Sequence, residues 1–520
     1  MTFDFIKTLV MTEVKLRMRR LSTLVVTLVV IALSWAMVPS ADSDMALISI
    51  KDARVLMTSS ALAFGTASLA AILFGLGSFY LARGRVSEDV RSGTGSVIAA
   101  SQIGNGMFIF SRWLGGVTYM LALVTILMCT TMVLHAIRGH GPIEVTVYLQ
   151  IYGLILVPMV FFGVSFAILF DSIPLLMGKL GDVLFFILWM FQLALMGAFE
   201  ESKAGFSPLL LVDFSGLAAG FMTLQSIVGT SSISIGISEY NKALPAVLLP
   251  EIVWPIQIIL VRFAAALLAM LPFLPAIKLF HRYSPDRVKV STAAKRRSPL
   301  TILNSWLRPL SRVMKPLFFL ATKLPGISGQ VVADVALTFV TSPLAIVLFV
   351  AGAIASFTVN SDALPGLMIA SVVYWGILIS DISTRDYAAT AEDITGTVHG
   401  GKTQRFLRQW LATNVLGFLF MGVIAYRWNA EDPQRALAVI SGIVFLSALA
   451  SAFGRFSRTP RTFIALFLFA MYIALNDTKL AIIDMVGFNG SADFGSMGTQ
   501  MMIAGSAIVL AYLYNRQQAK

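Results

Sequence analysis

The segment Arg83-Gly-Arg-Val-Ser-Glu-Asp-Val-Arg-Ser-Gly-Thr94 follows an apolar run of membrane length, and a similar segment occurs once more in the chain. The second is Arg385-Asp-Tyr-Ala-Ala-Thr-Ala-Glu-Asp-Ile-Thr-Gly-Thr397, which also follows an apolar run. Each contains Glu-Asp and then Gly-Thr, and each leads to a basic residue shortly before a tryptophan, Trp113 or Trp410. This recurrence predicts a duplicated bundle of membrane helices with a long cytoplasmic loop in each half.

The composition indicates a lipid environment. Hydrophobic residues make up 57% of the 520, only 13% are charged, and the mean hydropathy is +0.82. Soluble domains have roughly 45–50% apolar residues and about 25% charged residues. The predicted fold class is therefore an all-α polytopic membrane protein. The single cysteine, Cys129, excludes an internal disulfide framework and a cysteine-rich metal or iron–sulfur site.

About twelve apolar runs approach the roughly 20 residues that a helix needs to cross the hydrocarbon core. We expect them to form two repeats of six transmembrane helices. The runs of the first repeat are Leu21–Val38, Met57–Leu81, Trp113–Ala136, Gln150–Phe170, Val183–Phe199 and Trp254–Ile277. The runs of the second repeat are Pro343–Val359, Leu367–Ile382, Trp410–Tyr426, Ala436–Phe453, Thr462–Ala474 and Gly498–Tyr514.

The runs divide the chain into three predicted parts. Residues 1–277 form the first membrane half and begin with an amphipathic surface helix, residues 278–326 form a basic amphipathic linker at the inner membrane surface, and residues 327–520 form the second half. The joints between the fifth and sixth helices, Glu200–Val253 and Asn476–Met497, contain apolar stretches that are too short to span. They are either re-entrant or interfacial helices that gate an exit, or an ordered external cap.

The positions of lysine and arginine predict the orientation. With the N-terminus in the cytoplasm, most of the 39 basic residues fall on the cytoplasmic side of the membrane. Topology and anionic lipid headgroups therefore explain the net charge of +12 without a nucleic-acid partner. We expect a polytopic protein of the plasma (cytoplasmic) membrane, the cell inner membrane in bacteria, with both termini in the cytoplasm.

These features resemble the permeases of the ABC transporter superfamily, of the type-2 exporter class, over nearly the whole chain. The resemblance depends mainly on the sequence of the first loop, and the similar sequence in the second loop matches less well. It implies six spans in each half, a cytoplasmic coupling helix in each loop, and re-entrant elements between the fifth and sixth spans. It also implies two copies of an ATP-binding cassette subunit as partners, which would carry ATP and Mg.

By this resemblance, five charged residues would lie at or near the contact with the ATPase subunits. They are Glu88, Asp89, Arg91, Glu392 and Asp393. The chain departs from the family pattern in two ways. Both halves are fused in one polypeptide, whereas many relatives dimerise, and the second loop is shorter after its Gly-Thr, which leaves its docking open.

Polar residues in or beside the apolar runs are candidates for a substrate pathway, because such residues are rare in spans. They are Arg262, Glu251, Gln192 and Asn414. Glu251 and Arg262 would share a helix face about 16 Å apart, too far to pair. Arg262 could line a central cavity and attract an anionic group, pair with an acid on another helix, or extend to the membrane interface.

No catalytic site, metal site or bound cofactor is predicted for this chain. Gly396–Thr403 matches the phosphate-binding pattern G-x-x-x-x-G-K-[ST], but no hydrophobic strand precedes it, so we interpret the match as chance. The four histidines have no metal-binding spacing. We therefore expect a transport subunit rather than an enzyme, with ATP hydrolysis on a separate polypeptide.

Three functions fit these observations to different degrees. The first is the membrane-spanning permease of an ATP-driven exporter, whose mostly apolar walls favour an amphipathic or lipophilic substrate. The second is an ion-gradient-driven secondary transporter with two six-helix halves, which the scarcity of buried acids disfavours. The third is a polytopic membrane enzyme, which the lack of an acid or histidine cluster disfavours. The sequence identifies neither the substrate, nor the direction of transport, nor accessory subunits.

Overall fold

The computed structural model describes residues 2–19, 21–40, 43, 45–200, 207–280, 306–397, 401–478 and 481–517. It is 77% helical, which is compatible with the predicted all-α class. Long apolar helices suit a membrane because they satisfy every backbone N–H and C=O group within the segment. The chain divides into two compact units, Met1–Lys295 and Arg296–Lys520.

The described part of the first unit contains helices and a small sheet. Its helices are α1 (Thr2–Met18), α2 (Leu21–Met37), α3 (Ser59–Ala82), α4 (Arg85–Arg91), α5 (Thr94–Ala100), α6 (Asn105–Arg138), α7 (Val145–Ser172), α8 (Lys179–Glu200), α9 (Leu217–Val228), α10 (Ile256–Ala269) and α11 (Phe273–Leu279). Its strands are β1 (Met45–Ile50), β2 (Ala53–Arg54) and β3 (Ile233–Glu239).

The sheet is antiparallel, with the strand order β2-β1-β3, and it was not predicted from the sequence. Strand β1 is buried on both faces except at its first residue. A short continuous apolar run of this kind cannot be assigned to strand or helix by periodicity. Lys51 and Asp52 connect β1 to β2 with φ angles of 49° and 63°, as a two-residue hairpin turn of type I′ requires.

The centre of the first unit is the contact between α3 and α7. Both helices are buried along most of their length, and small residues allow their backbones to approach closely. A Cβ atom added at Gly163 of α7 would lie 1.7 Å from Ser78 Oγ and 3.0 Å from the backbone nitrogen of Phe79. This contact therefore requires glycine at position 163.

The described part of the second unit contains helices and connecting loops but no strand. Its helices are α12 (Lys315–Lys323), α13 (Gly326–Thr341), α14 (Leu344–Thr358), α15 (Leu364–Ile379), α16 (Arg385–Ala388), α17 (Glu392–Gly396), α18 (Gly401–Glu431), α19 (Pro433–Ser457), α20 (Arg461–Asn476) and α21 (Phe494–Gln517). Short 3₁₀ helices cover Arg308–Met314, Ser361–Ala363 and Ile382–Thr384.

Among the described residues, eight helical segments are long and apolar enough to cross a membrane. They are Ser59–Ala82, Asn105–Arg138, Val145–Ser172, Ile256–Leu279, Ser361–Ala388, Thr403–Glu431, Pro433–Ser457 and Phe494–Gln517. The number rises to ten if two bent pairs, α1 with α2 at 74° and α13 with α14 at 102°, each count as one span. The chain is thus a polytopic membrane protein, and the count of twelve and the two six-helix repeats stay predictions.

The helix that follows the long loop is a hub in each unit. In the first unit α6 contacts α1, α2, α3 and α7, and in the second unit α18 contacts α13, α14, α15 and α19. The helix after each hub, α7 or α19, also packs against the last helices of its unit, α10 and α11 or α21.

We predict that Gly163→Ala destabilises the first unit by about 1–3 kcal/mol, because the new methyl group overpacks the contact between α3 and α7. Gly153, on the same helix, has open space around the position of a Cβ atom, so Gly153→Ala is the matched control. Thermal unfolding of the purified variants measures both effects. Equal unfolding temperatures for the two variants would contradict this view of the interface.

Candidate functional site

The first loop is attached to the bundle through its backbone. Its helix α4 starts after Gly84, which has a φ of 93° and no side chain that could cap the helix. The carboxylate of Asp171, near the end of α7, supplies the cap. It accepts hydrogen bonds from the N–H groups of Gly84 at 2.7 Å and Arg85 at 3.1 Å. A carboxylate there also compensates the positive end of the helix.

Buried ion pairs join the first loop to the N-terminal helix. Glu13 of α1 accepts hydrogen bonds from Arg17 at 3.1 Å and from Arg85 at 3.0 Å. Arg85 also binds Glu88 at 2.6 Å, and Glu88 is the partly exposed member of the group. Burial lowers the pKa of Arg85, but the charge of Glu13 and its hydrogen bond raise that pKa above its ordinary value. Arg85 therefore keeps its charge.

A further pair joins the same loop to the helix that follows it. Asp89 of α4 binds Arg112 near the start of α6, and both side chains are buried. Arg83, just before α4, binds Asp182 of α8 and lies 3.6 Å from Asp171. The loop is thus connected to four helices through charges that water hardly reaches. Removing one partner of such a buried pair costs about 3–5 kcal/mol, compared with about 0–1 kcal/mol on a surface.

The second loop is attached by the same type of interaction. Glu392, the first residue of α17, binds Arg405 of α18 at 3.0 Å and also binds Arg455 near the end of α19. Arg405 donates a further hydrogen bond to Thr395 Oγ1 at 2.7 Å. Arg455 in turn donates to Asn515 of α21. One carboxylate therefore connects the loop to three helices of the second unit.

Helix α13 of the second unit is also paired with this region. Asp334 of α13 lies 3.3 Å from Arg408 of α18, and Arg408 lies 3.8 Å from Asp386 in the loop. Arg385 donates to Thr338 of α13 at 2.8 Å. Glu13 on α1 and Asp334 on α13 thus have similar positions, since each lies on the helix before the first predicted span of its unit and pairs with an arginine at or near a loop.

The structure places the predicted ATPase-contact residues mostly inward. Asp89 and Glu392 are engaged in ion pairs within the chain, and Glu88 pairs with a neighbour while keeping part of its surface exposed. The side chains of Arg91 and Asp393 lie outside the described residues. The acids at Asp89 and Glu392 therefore fasten the loops to the bundle, and their place at or near an ATPase contact stays a prediction.

Two aliphatic residues point outward from the loops. Val97 of α5 is 70% exposed, and Ile394 of α17 is 73% exposed. Sequence reasoning missed both, although each lies within three residues of the Gly-Thr pair of its loop. The available signal was an aliphatic residue within a polar loop, which stands alone at Ile394 and is followed by Ile98 at Val97. Each loop therefore presents an apolar contact point on a firmly attached base.

Burial raises the pKa of Glu392. The hydrogen bond and charge of Arg455 and the charge of Arg405 lower that pKa by more than burial raises it, so the net pKa lies below its ordinary value. The carboxylate therefore stays ionised at neutral pH. The two arginines around it keep their ion pairs under these conditions.

Arg262, a predicted substrate-pathway residue, is bonded to the protein itself. It is 2% exposed, and each of its guanidinium nitrogens donates to a backbone carbonyl. Nε donates to Leu154 at 2.8 Å, Nη2 donates to Ile155 at 3.4 Å and Phe214 at 3.2 Å, and Nη1 donates to Asp213. This geometry favours the structural alternative for Arg262 over an anion-attracting role.

The reason for this arrangement lies in α7. Pro158 has no N–H group, so the carbonyl of Leu154, four residues earlier, has no donor within the helix. Arg262 supplies that donor. The carboxylate of Asp213 lies 4.0 Å from the guanidinium and caps α9 by accepting from the N–H groups of Gly216 and Ala219. One arginine thus joins α10, α7 and the start of α9.

The other three pathway candidates have different surroundings. The prediction that Glu251 shares a helix face with Arg262 was wrong. Helix α10 begins only at Ile256, and Glu251 is an exposed residue before that helix. Gln192 is buried and accepts from the N–H of Phe214 at 3.1 Å. Asn414 donates to a backbone carbonyl, and its Oδ1 has no hydrogen-bond partner within the described chain. The structure does not bring the four together as one site.

The described residues contain no group of three or more histidine, cysteine, aspartate or glutamate side chains that could hold a metal ion. A cavity of about 20 Å³ beside Arg17, Arg85 and Arg112 has room for about one water molecule. In the part of the Gly396–Thr403 match that is described, a helix and not a strand precedes the glycines.

Comparison with known protein families, curated proteins and solved structures gave no match. The fold and the site define a helical polytopic membrane protein. Its described units each carry a polar loop that is held by ion pairs with buried arginines.

We predict that Arg262→Ala lowers the unfolding free energy by about 3–5 kcal/mol, because it leaves the carboxylate of Asp213 buried without its partner. Arg262→Met together with Asp213→Asn should be less destabilised than Arg262→Ala, since the buried charge is then removed as well. Lys51→Met, at an exposed turn, is the control. Unfolding of the purified protein by denaturant measures the change. Parent-like stability for Arg262→Ala would contradict the structural role.

The lowered pKa of Glu392 predicts an acid-sensitive contribution to stability. A group with a folded-state pKa below its unfolded value stabilises the fold above the unfolded pKa, and that contribution is lost as the pH falls through the folded pKa. Glu392→Gln should therefore lower stability at neutral pH and flatten the decline in acid. Glu144→Gln, at an exposed carboxylate, should keep the parent profile. Parallel profiles for Glu392→Gln and the parent would contradict the assignment.

Proposed function

We propose that this protein is the membrane-spanning permease subunit of an ATP-driven exporter of the type-2 ABC class. ATP would be hydrolysed by a separate pair of ATPase subunits, and an amphipathic or lipophilic substrate would cross the cytoplasmic membrane. The observation that carries the proposal is the construction of the two loops. Each presents an exposed aliphatic residue, Val97 or Ile394, on a base that is fixed by buried ion pairs.

Such a base suits the transmission of force. A loop held only by solvated contacts would yield when a partner pushed on it, whereas displacing the first loop would require breaking buried ion pairs at several kcal/mol each. The second loop is held by the partly buried Glu392 through two buried arginines. In the first unit, a push on α5 would pass through Asp89 and Arg112 into α6. In the second unit, a push on α17 would pass through Glu392 and Arg405 into α18. Nucleotide-driven motion of the ATPase pair would thereby move membrane helices as rigid bodies.

The likeness of the two units supports twelve spans in two repeats as part of this proposal. The hubs contact corresponding helices, which are α1, α2, α3 and α7 for α6 and α13, α14, α15 and α19 for α18. Near the end of each hub, an arginine donates a hydrogen bond to a carbonyl just after the first span proposed for that unit. Arg138 of α6 donates to the carbonyl of Val38 just after α2, and Arg427 of α18 donates to Ser356 and, just after α14, to Val359. In this scheme α2 and α14 are the first spans, and α8 and α20 are the fifth.

The apolar spans suit an amphipathic or lipophilic substrate. Most large side chains on the outer faces of the helices are aliphatic or aromatic, and Arg262 and Gln192 are bonded to the protein. Asn414 is the candidate that retains an acceptor for a polar group of a substrate. The proposed direction of transport is outward.

We predict that Val97→Asp and Ile394→Asp weaken the complex with the ATPase subunits. Each would lose an apolar contact worth at least a tenfold change in affinity at a central interface position. The tagged chain is solubilised gently, and the ATPase activity that purifies with it is measured. Leu244→Asp, an exposed aliphatic in the loop after β3, is the matched control.

Two results would contradict the proposal. One is the absence of any ATPase subunit from the purified complex. The other is a complex that neither substitution weakens, although the variants fold normally. Transport that persists without a nucleotide partner and collapses with the ion gradient would favour a secondary transporter.

A further inference from the structure

The segment from residue 306 to 323, hereafter the basic aromatic segment, is positively charged and lacks acidic residues. No aspartate or glutamate occurs between Arg287 and Ala333. Within the segment, the side chains of Arg312, Lys315 and Lys323 are exposed. The segment therefore carries positive charge that no acidic residue within it neutralises.

The same segment exposes large apolar side chains. Trp306 is 77% exposed and Phe319 is 63% exposed, and α12 has no buried residue. Lys315, Phe319 and Lys323 follow one another at intervals of four residues, so they lie along one face of α12. The ammonium nitrogen of Lys323 lies 4.4 Å from the centre of the Phe319 ring. An aromatic ring flanked by lysines is typical of a helix at a membrane interface, where the charged groups extend to the headgroups.

The geometry of the neighbouring helices places this segment beside a bilayer. Helix α13 makes an angle of 102° with α14, whose 15 residues are apolar. If α14 crosses the membrane, α13 lies close to the membrane plane. Helix α12 packs directly on α13. The basic aromatic segment is therefore held at the level of the lipid headgroups.

We propose that the basic aromatic segment binds the surface of a bilayer rich in anionic phospholipid. Its apolar side chains enter the boundary between headgroups and acyl chains, and its basic side chains contact the lipid phosphates. Basic residues near an anionic leaflet gain electrostatic attraction, and exposed aromatic residues gain from burial at the interface. A zwitterionic bilayer offers only the second contribution, so the binding discriminates between lipid classes.

The charge pattern favours a lipid surface over a protein partner. A protein interface usually lacks charge at its core, whereas here Phe319 lies between two lysines on the same face. A bilayer satisfies both groups at once because its phosphates and acyl chains lie at different depths. A second copy of this segment is excluded by its own positive charge.

The test uses the full-length protein in nanodiscs. Cys129 is replaced by serine, and Thr322, an exposed residue on α12, is replaced by cysteine and labelled with a polarity-sensitive fluorophore. The discs contain phosphatidylcholine alone or mixed with phosphatidylglycerol. We expect a blue shift of the fluorescence in discs with phosphatidylglycerol, a smaller one in phosphatidylcholine, and partial reversal by salt.

Neutralisation then tests the role of charge. Each single substitution should lower the equilibrium constant for insertion of the segment into the bilayer about fivefold, and all three together should lower it roughly a hundredfold. The substitutions are Arg312→Gln, Lys315→Gln and Lys323→Gln. The matched control, Arg312→Lys with Lys315→Arg and Lys323→Arg, keeps the charge and should keep the lipid preference. Equal spectra in both lipids would overturn the proposal. A shift that depends on an added protein partner or on protein concentration, and not on phosphatidylglycerol, would overturn it as well.

Discussion

The buried pairing of carboxylates with arginines is the interaction on which the rest of the structure depends. A loop of polar residues at the edge of a membrane bundle has no reason to be rigid, because water competes for all of its hydrogen bonds. Here Asp89 and Glu392 direct their charges into the protein, where each finds an arginine on the hub helix. Since the desolvated charges cannot separate without a large cost, the loop and the hub move together.

Arginine has a second structural role in this chain, as a donor to backbone carbonyls that helices leave free. Arg17 donates to Leu81 and Ala82 at the end of α3. Arg262 donates to the carbonyl that Pro158 leaves free. A carbonyl without a donor is costly in a membrane, where water cannot replace it. Guanidinium groups with several donors solve that problem and tie neighbouring helices together.

The sequence predicted the membrane class, the position of the long helices and the two loops, because hydropathy and a repeated sequence motif are local signals. It did not predict the small sheet, since Met45–Ile50 carries no periodicity that separates strand from helix. It placed Asp89 and Glu392 at or near a partner contact, which stays a prediction, and it did not show their ion pairs within the chain. A sequence does not show that an arginine more than a dozen residues away on the next helix will neutralise an acid, so the inward orientation of both could only come from the fold.

The most direct test of the account is hydrogen exchange of the loop amides in the purified protein. Asp89→Asn and Glu392→Gln remove one charge from each loop and leave the shape of each side chain nearly unchanged. The account predicts faster exchange over residues 85–100 in the first variant and 392–397 in the second, with the spanning helices unaffected. Exchange in the loops that is equally fast in the parent and in both variants would contradict the claim that buried ion pairs hold them.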